Sequence, residues 1–379
     1  MGNTPIITGA FATKVGKLID SSCLSLHDEA AFGAIRDAEL DAREIDGVIC
    51  AYSLTEPHLM LASWFCEYAG LSPKICYAVQ AGGATGATMI MQAASLVATG
   101  SCRHVLVVAG DNRLTGLSRD GAIAALSKVG HPQFERPYGL SIPAAYGLVA
   151  NRYIREFGVS EDHLAAVAVA MRANAANHPG AHMSEPITIR DVTESPMIAT
   201  PLRRLDCSLI SDGGGALVVS AGHRDNAVEI LGAGQGHSHE HIVAAPSLVD
   251  FACRQSSARA FEAAGVTADD IDIAQIYDSF TITLLVELES IGFFEPGAAG
   301  PAIMKGALQT DGSFPCNTHG GLLSHGHPGA AGGIFHVIEA VSQLRRDAGS
   351  RQVENADLAF VHGDGGILSA HCSLVLGRG

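Results

Sequence analysis

A glycine-rich segment near the end of the chain carries the densest group of side chains that could do chemistry. Three histidines, His319, His325 and His327, lie within nine residues of one another. The segment then runs into an apolar stretch that is typical of a helix. Free N–H groups and the positive dipole end of a helix N-terminus stabilise negative charge. Imidazoles at such a place suit a reaction in which an oxyanion develops.

Zinc binding is one alternative for these three histidines, and a structural role in a turn is another. Their spacing contains no i, i+4 helical pair and no acidic residue lies beside them, so we expect no metal site here. The nine cysteines are scattered and form no CxxC pair. This pattern argues against both a cysteine-based zinc site and a disulfide framework.

The overall charge narrows the class of partner. Lys and Arg number 24 against 39 Asp and Glu, so the formal net charge is −15, which argues against nucleic-acid binding. Hydrophobic residues make up 47% of the chain and charged residues only 17%, and this balance favours an oligomer with a large interface. The apolar runs are of strand length, so we expect no membrane span. The first residues show no leader pattern, and we expect a cytoplasmic protein.

Short apolar strands alternate with longer alanine-rich stretches. The segment Val48–Cys50 is strand-like, Thr85–Thr99 is helix-like, and Val105–Ala109 is again strand-like. This alternation predicts an α/β protein with buried strands.

The alternation is duplicated along the chain. Ala42–Cys50 aligns with Ala268–Ile276, and the similar segments Gly83–Gly86 and Gly329–Gly332 each open a helix-like stretch. Two similar halves about a pseudo-twofold axis follow from this order. We place the halves at residues 1–225 and 226–379.

A proline-rich and histidine-rich region separates the repeated units, at about residues 113–200. We predict an inserted loop region with some helix, notably at Ala145–Glu156. Long insertions on a rigid scaffold often carry substrate recognition.

Five segments, in this order, resemble the thiolase superfamily, and within it the branch of sterol-carrier-protein-type thiolases and thiolase-like lipid-transfer proteins. They are VQAGGATGA from position 79, SDGGGALVV from 211, YDSF from 277, NTHGGLLSHGHPGAAG from 317 and HGDGG from 362. The resemblance covers nearly the whole chain. It implies a thiolase fold in which two duplicated βαβ-type halves form a five-layered α-β-α-β-α arrangement.

The resemblance places Gly83 where thiolases carry their nucleophilic cysteine. Glycine has no side chain to acylate, so acyl transfer through a covalent thioester should be severely impaired. Cys76 lies seven residues earlier and Cys316 precedes the histidine-rich segment. Packing is the expected role of both.

The resemblance also assigns roles to the remaining site positions. His327 matches the histidine that polarises the thioester carbonyl, His362 replaces a cysteine acid/base, and Tyr277 stands where the family has Asn or His. Tyr277, His319 and His362, in that order, are the candidates for the general base. Backbone N–H groups near Gly83 and Gly365 would hold an enolate oxygen, and His325 would orient the loop. The remaining substrate-binding candidates are Asn317, Gly320, Gly321, Asp278 and Phe280.

An enolate next to a thioester can form without attack by a cysteine. We therefore expect an enzyme that cleaves a β-hydroxyacyl-CoA, or runs the aldol addition, with coenzyme A as part of the substrate and no bound cofactor. A Claisen-type thiolase or acyltransferase that uses another nucleophile or a partner is the first alternative. A non-catalytic subunit that binds acyl-CoA or lipid is the second.

The resemblance also implies partner proteins. Thiolase folds dimerise, so we expect a homodimer, and members of this branch often work with a small protein that joins a zinc ribbon to an OB-fold. An acidic chain that binds coenzyme A must gather local cations. The candidates are Arg113, Arg152, Arg203 and Arg204.

Overall fold

Nine strands of the described residues hydrogen-bond into one mixed sheet. The structure is a computed structural model that describes residues 4–379, apart from the side chains at positions 119 and 123–125. The strands are β1 Pro5–Ala12, β2 Gly47–Ala51, β3 Ile75–Val79, β4 His104–Asn112, β5 Met197–Ala199, β6 Leu202–Arg203, β7 Asp212–Ala221, β8 Val228–His237, β9 Ile273–Ile276, β10 Leu358–Gly365 and β11 Ala370–Arg378. The order in the sheet is β3-β2-β4-β7-β1-β8-β11-β10-β9, and β5 pairs only with β6.

The helices cover the two faces of the sheet and fill the space between its halves. They are α1 Cys23–Asp37, α2 Leu61–Ala69, α3 Thr85–Ala98, α4 Arg113–Gly116, α5 Arg119–Leu126, α6 Ile142–Phe157, α7 Glu161–Ala176, α8 Ile189–Thr193, α9 Cys253–Ala264, α10 Thr281–Ile291, α11 Ala299–Ile303, α12 Gly321–Ser324 and α13 Ala331–Leu344. Among the residues described, no helix is long and apolar enough to cross a membrane.

The two halves of the sheet meet at one short junction. Strand β1 pairs along its length with β7, whereas it pairs with β8 only at Ile6 and Ile7. In the first half β2 runs parallel to β3 and β4. In the second half β9 runs parallel to β10. Each half therefore repeats the parallel βαβ unit that the duplicated sequence predicts.

Helices α3 and α13 form the central layer, and each contacts strands of both halves. They approach closely where Gly86 meets Gly333, because a Cβ on Gly86 would lie 2.8 Å from the carbonyl carbon of Gly333. The paired glycines of the two repeats thus permit a backbone contact that larger residues would prevent. Helices α1 and α2 pack on the outside of the first half, and α9 and α10 pack on the outside of the second half.

The region at about 113–200 differs from the predicted inserted loop, since five helices, α4 to α8, lie largely within it. The predicted helix Ala145–Glu156 is real and extends to Ile142–Phe157. The prolines of this region lie at helix starts and in connections. Pro143 occupies the first turn of α6, a position that proline favours. The Ser141 side chain caps this helix by accepting from the Ala144 N–H. Buried residues of α6 and α7 then join the core of the second half.

Candidate active site

An apolar cavity of about 400 Å³ opens where loops of both halves meet the inserted helices. Gly83 comes from the loop before α3, Tyr277 from the loop after β9, and His327 from the loop before α13. Tyr146 on α6 contributes to another wall. Loops of both sheet halves therefore supply Tyr277 and His327, and the inserted region forms a further wall of the cavity.

A pair of side chains in this cavity forms the core of the candidate site. The Tyr277 hydroxyl lies 2.9 Å from Nε2 of His327, and Nδ1 of His327 lies 3.1 Å from the Ser208 hydroxyl. Burial, and then the charge of Arg113, hold the pKa of His327 well below its ordinary value. A neutral imidazole donates at one nitrogen and accepts at the other. The three groups therefore form one chain along which a proton can move.

Gly83 lines the cavity directly against Tyr277. A Cβ built on Gly83 would overlap the Tyr277 ring, its hydroxyl oxygen and the carbonyl oxygen of Asp364. No side chain fits at position 83 while the Tyr277 ring and the Asp364 carbonyl stay in place. The phenol of Tyr277 thus occupies the space that a nucleophilic side chain at position 83 would need.

Asp364 and Tyr146 form a second polar pair that the sequence analysis missed. Both line the cavity, and the Tyr146 hydroxyl donates to Oδ2 of Asp364 at 2.9 Å. Oδ1 of Asp364 is buried with no hydrogen-bond partner. Tyr146 also stacks on Phe280, with ring centroids 4.3 Å apart. The only sequence signal was the position of Asp364 inside the HGDGG segment.

The Asn317 side chain is fully engaged with the backbone of β9. Its Oδ1 accepts from the Ile276 N–H at 2.7 Å, and its Nδ2 donates to the Ile276 carbonyl at 2.7 Å. Asn317 has a φ of 50°, in the left-handed region that asparagine tolerates. It sets the course of the loop and does not line the cavity.

Asp278 also supports the loops behind the cavity. Its carboxylate accepts from the N–H groups of Leu322 and Leu323 at 2.7 and 3.2 Å. Gly321 has a φ of 62° and lies so close that a Cβ there would overlap this carboxylate. Gly320 packs in the same way against Ala175. Of the five predicted substrate-binding positions, Phe280 is the one that lines the cavity.

Two histidines of the glycine-rich segment, His319 and His325, pack together, and the third, His327, is directed elsewhere. The His319 ring lies 5.1 Å from that of His325 and 4.9 Å from that of His336, centroid to centroid. Both ring nitrogens of His319 are buried without a hydrogen-bond partner. His325 packs on His178 at 4.5 Å. Of the three histidines, His327 faces the cavity.

The other two predicted positions are close to the cavity but do not line it. The His362 imidazole is buried and contacts the Ser373 hydroxyl at 2.9 Å and His371 at 3.2 Å. Gly365 pairs with Ala370 in the β10–β11 ladder, and the next residue, Gly366, reaches the cavity instead.

Three cysteines bear on the question of a replacement nucleophile. Cys316 is buried in the core, and Cys76 lies 3.4 Å from Cys66, sulfur to sulfur, on the edge strand β3. Cys207, which the sequence analysis did not single out, lines the cavity. Burial raises the pKa of its thiol to about 12, so the nucleophilic thiolate is scarce at neutral pH.

The four candidate arginines occupy different places. Arg113 and the exposed Arg204 line the cavity, and a guanidinium nitrogen of Arg113 lies 3.5 Å from the His327 carbonyl. Arg152 pairs with Glu156 at 2.6 Å. Arg203 donates to the Ser195 carbonyl at 3.2 Å. Two of the four are therefore placed to meet a ligand in the cavity.

The chain matches known proteins over nearly its whole length. Residues 6–223 match the profile of the thiolase N-terminal domain, and residues 234–378 match the profile described as thiolase C-terminal domain-like. An acetyl-CoA acetyltransferase of Methanothermobacter thermautotrophicus is 32% identical over 96% of this chain and 98% of its own. A 17-hydroxy-3-oxo-4-pregnene-20-carboxyl-CoA lyase of Mycobacterium tuberculosis is 33% identical over 89% and 91%.

A solved structure agrees with these matches. The Ltp2-ChsH2(DUF35) aldolase superposes with a TM-score of 0.87 at 29% identity, and the alignment covers 99% of this chain and 98% of that one. The predicted family and its α/β fold are thereby confirmed. The profiles, the relatives and the duplicated halves packed about α3 and α13 agree, and this chain belongs to the thiolase superfamily.

Proposed function

We propose that this protein cleaves the carbon–carbon bond next to the thioester of a β-hydroxyacyl-CoA, by a retro-aldol reaction without a covalent acyl-enzyme. The observation that carries the proposal is the Tyr277 phenol, which fills the space of the missing nucleophile and bonds to His327. The lyase and aldolase relatives support this chemistry. They and the acetyltransferase relative confirm the predicted class of acyl-CoA carbon–carbon chemistry.

The first step removes the proton of the β-hydroxyl group. Tyr277 takes this proton while its own passes to Nε2 of His327, whose lone pair is free because the imidazole is neutral. The oxygen electrons form the carbonyl of an aldehyde or ketone. The Cα–Cβ bond breaks and its electron pair enters the thioester enolate.

The second step stabilises the enolate and protonates Cα. Nε2 of His327 returns its proton to the Tyr277 oxygen while Tyr277 gives its own proton to Cα, which yields the shortened acyl-CoA and restores both side chains. The backbone N–H groups of Gly83 and Gly366 are the proposed donors to the enolate oxygen, since both residues line the cavity. His319 and His362 lie outside the cavity lining, so Tyr277 is the base that we propose from the three sequence candidates.

The apolar walls favour a substrate with a bulky apolar acyl group. Ile142, Phe280 and Ile198 line the cavity, and burial of apolar surface contributes about 25 cal/mol per Å² to binding. Arg113 and Arg204 are the proposed contacts for the phosphates of coenzyme A, and no bound cofactor is required by the chemistry.

Two associations belong to the same proposal. A homodimer would cover β3, one of the two edge strands of the sheet, whose residues are mostly half-buried. Unpaired strand edges favour association. The aldolase neighbour is named for two components, Ltp2 and ChsH2(DUF35). By analogy, a small zinc-ribbon and OB-fold protein is the proposed second partner.

A direct assay tests the reaction. The purified chain is incubated with β-hydroxyacyl-CoA esters that carry small or bulky β-substituents, and the released carbonyl compound and acyl-CoA are quantified. Equal amounts of both products, with no acyl adduct in the intact-protein mass spectrum, are expected. Binding without turnover, with and without the small partner, would identify a carrier and refute the proposal.

A Claisen-type acyltransferase is the second candidate, because Cys207 lines the cavity and one relative is an acetyl-CoA acetyltransferase. It requires an acyl group on the protein. Incubation with acetyl-CoA followed by peptide mapping tests this: an acetyl group on Cys207 that disappears in Cys207→Ser would favour the acyltransferase.

A further inference from the structure

A buried cluster beneath the cavity brings three metal-ligating side chains together from three elements. Glu287 lies on α10, His362 on β10 and His371 on β11. Their exposed fractions are 0%, 1% and 2%. The reaction proposed above uses none of the three side chains.

The donor atoms have the mutual spacing of ligands around a single ion. Nε2 of His362 lies 3.2 Å from Nδ1 of His371 and 3.5 Å from Oε1 of Glu287. Nδ1 of His371 lies 3.9 Å from the same Oε1. Ligands that sit 2.0–2.2 Å from a tetrahedral zinc ion are separated by roughly 3.3–3.6 Å. The three observed separations bracket this range.

Hydrogen bonding alone does not account for the cluster. A bond between the two imidazoles explains the 3.2 Å contact, but both carboxylate oxygens of Glu287 remain buried without a hydrogen-bond partner. Burying a carboxyl group that has no partner is costly. A cation among the three donors would satisfy Oε1 of Glu287 and both facing nitrogens together.

The other nitrogen of each imidazole is held by a second contact. Nε2 of His371 bonds to the Leu368 carbonyl at 2.9 Å, and Nδ1 of His362 bonds to the Ser373 hydroxyl at 2.9 Å. The carbonyl can only accept, so His371 carries its proton on Nε2 and directs the lone pair of Nδ1 into the cluster. Metal-ligating histidines are typically oriented by such outer contacts.

We propose that Glu287, His362 and His371 bind one divalent transition-metal ion, with zinc as the first expectation. Two imidazoles and one carboxylate suit zinc and also ferrous iron. The ion would tie α10 to the β10–β11 hairpin behind the cavity. Because the donors are almost fully buried, the ion would enter during folding and leave only on unfolding.

Metal analysis of the full-length, tag-free protein tests the proposal. The chain is expressed with added zinc and iron salts, separated from free metal by gel filtration, and analysed by elemental mass spectrometry. About one ion per chain is expected, and its identity distinguishes zinc from iron. Glu287→Gln and His371→Gln should each lower the bound metal at least about tenfold. His104→Gln, which changes a histidine on β4 that bonds to Ser220, should keep the wild-type content.

A second measurement does not depend on the variants folding. Crystals of the wild-type protein are measured on both sides of the absorption edge of the bound metal, and an anomalous peak between the three side chains is expected. A peak elsewhere overturns the proposal. So does wild-type protein that remains metal-free after refolding with excess zinc or iron, or a folded Glu287→Gln variant that binds as much metal as the wild type. No step of the proposed lyase reaction passes through this ion, so metal content and lyase activity can fail independently.

Discussion

The Tyr277 ring stands where a side chain at position 83 would have to be. The two positions are far apart in sequence, yet a Cβ on Gly83 would overlap the phenol. A nucleophile at 83 and a tyrosine at 277 are therefore mutually exclusive in this backbone. In place of a nucleophilic side chain, the site has a hydroxyl group that bonds to His327.

Removing one hydroxyl tests the proposed base. Tyr277→Phe keeps the ring that packs against Gly83 but cannot exchange a proton, so we expect kcat/KM for β-hydroxyacyl-CoA cleavage to fall about 10²- to 10⁴-fold. The measurement is steady-state kinetics with product quantification. Tyr153→Phe is the matched control, because this buried tyrosine bonds to Glu289 outside the cavity lining. Full activity in Tyr277→Phe would show that the base lies elsewhere.

Restoring a cysteine at position 83 should not by itself restore acylation. Gly83→Cys forces a side chain into space that Tyr277 fills, and such overpacking costs about 1–3 kcal/mol of unfolding free energy. Gly83→Cys/Tyr277→Ala removes the ring, and the carbonyl oxygen of Asp364 must also shift before the thiol fits beside the N-terminus of α3, where its pKa falls. Intact-protein mass spectrometry after acetyl-CoA should detect one acetyl group on the double variant. The wild type, with nine cysteines of its own, measures background acylation; an adduct on the single variant would contradict the steric account.

The activity should not fall near pH 6.5, where an ordinary histidine becomes protonated. His327 must be neutral to receive a proton, and burial keeps its pKa well below the ordinary value. Activity is therefore expected to persist as the pH falls through 6.5 and to decline only at lower pH. The measurement is kcat/KM between about pH 5 and pH 8. A half-maximal point near 6.5 that vanishes in His327→Gln would instead assign an unperturbed imidazole.

The buried histidines should make the fold sensitive to acid. Burial lowers the pKa of His336 to about 3, so the unfolded chain binds a proton below pH 6.5 while the folded chain does not. Stability from this group is complete above pH 6.5, and about 2 kcal/mol of it is lost by pH 5. Urea unfolding of the wild type and of His336→Gln at pH 7 and pH 5 measures the difference. The variant should lose less stability on acidification, whereas the exposed His58→Gln should behave as the wild type; equal losses in His336→Gln and the wild type would refute the assignment.

The cavity wall should set the size of the acyl group. Ile142 begins α6 and lines the cavity, so Ile142→Trp should fill part of its volume. We expect kcat/KM to fall at least about tenfold for bulky β-substituents and to change little for the smallest one. The small substrate is the internal control. Parallel losses for both substrates would place the acyl group elsewhere.

Local sequence patterns determined the fold class and the family. Alternating apolar strands and alanine-rich stretches predicted an α/β protein, and the repeated glycine segments predicted two similar halves. These signals are local, since strand and helix periodicity act within a few residues. The inserted region was harder to predict, because prolines at helix starts resemble prolines in loops. Its helices α6 and α7 are stabilised because they bury their apolar faces against α10, a contact between segments far apart in sequence.

The sequence also placed Gly83, Tyr277 and His327 at the site, through segments whose order resembles a family. It kept His319 beside His327 as a catalytic candidate, although the two near neighbours in the chain face different surroundings and only His327 of the pair lines the cavity. It also missed Asp364, Tyr146 and Cys207, and the grouping of Glu287 with His362 and His371. Contacts of this kind join residues far apart in sequence, so they arise only when strands and helices from both halves pack together. The residue types alone indicated which chemistry the chain can perform. The tertiary structure decided which of these residues share a cavity.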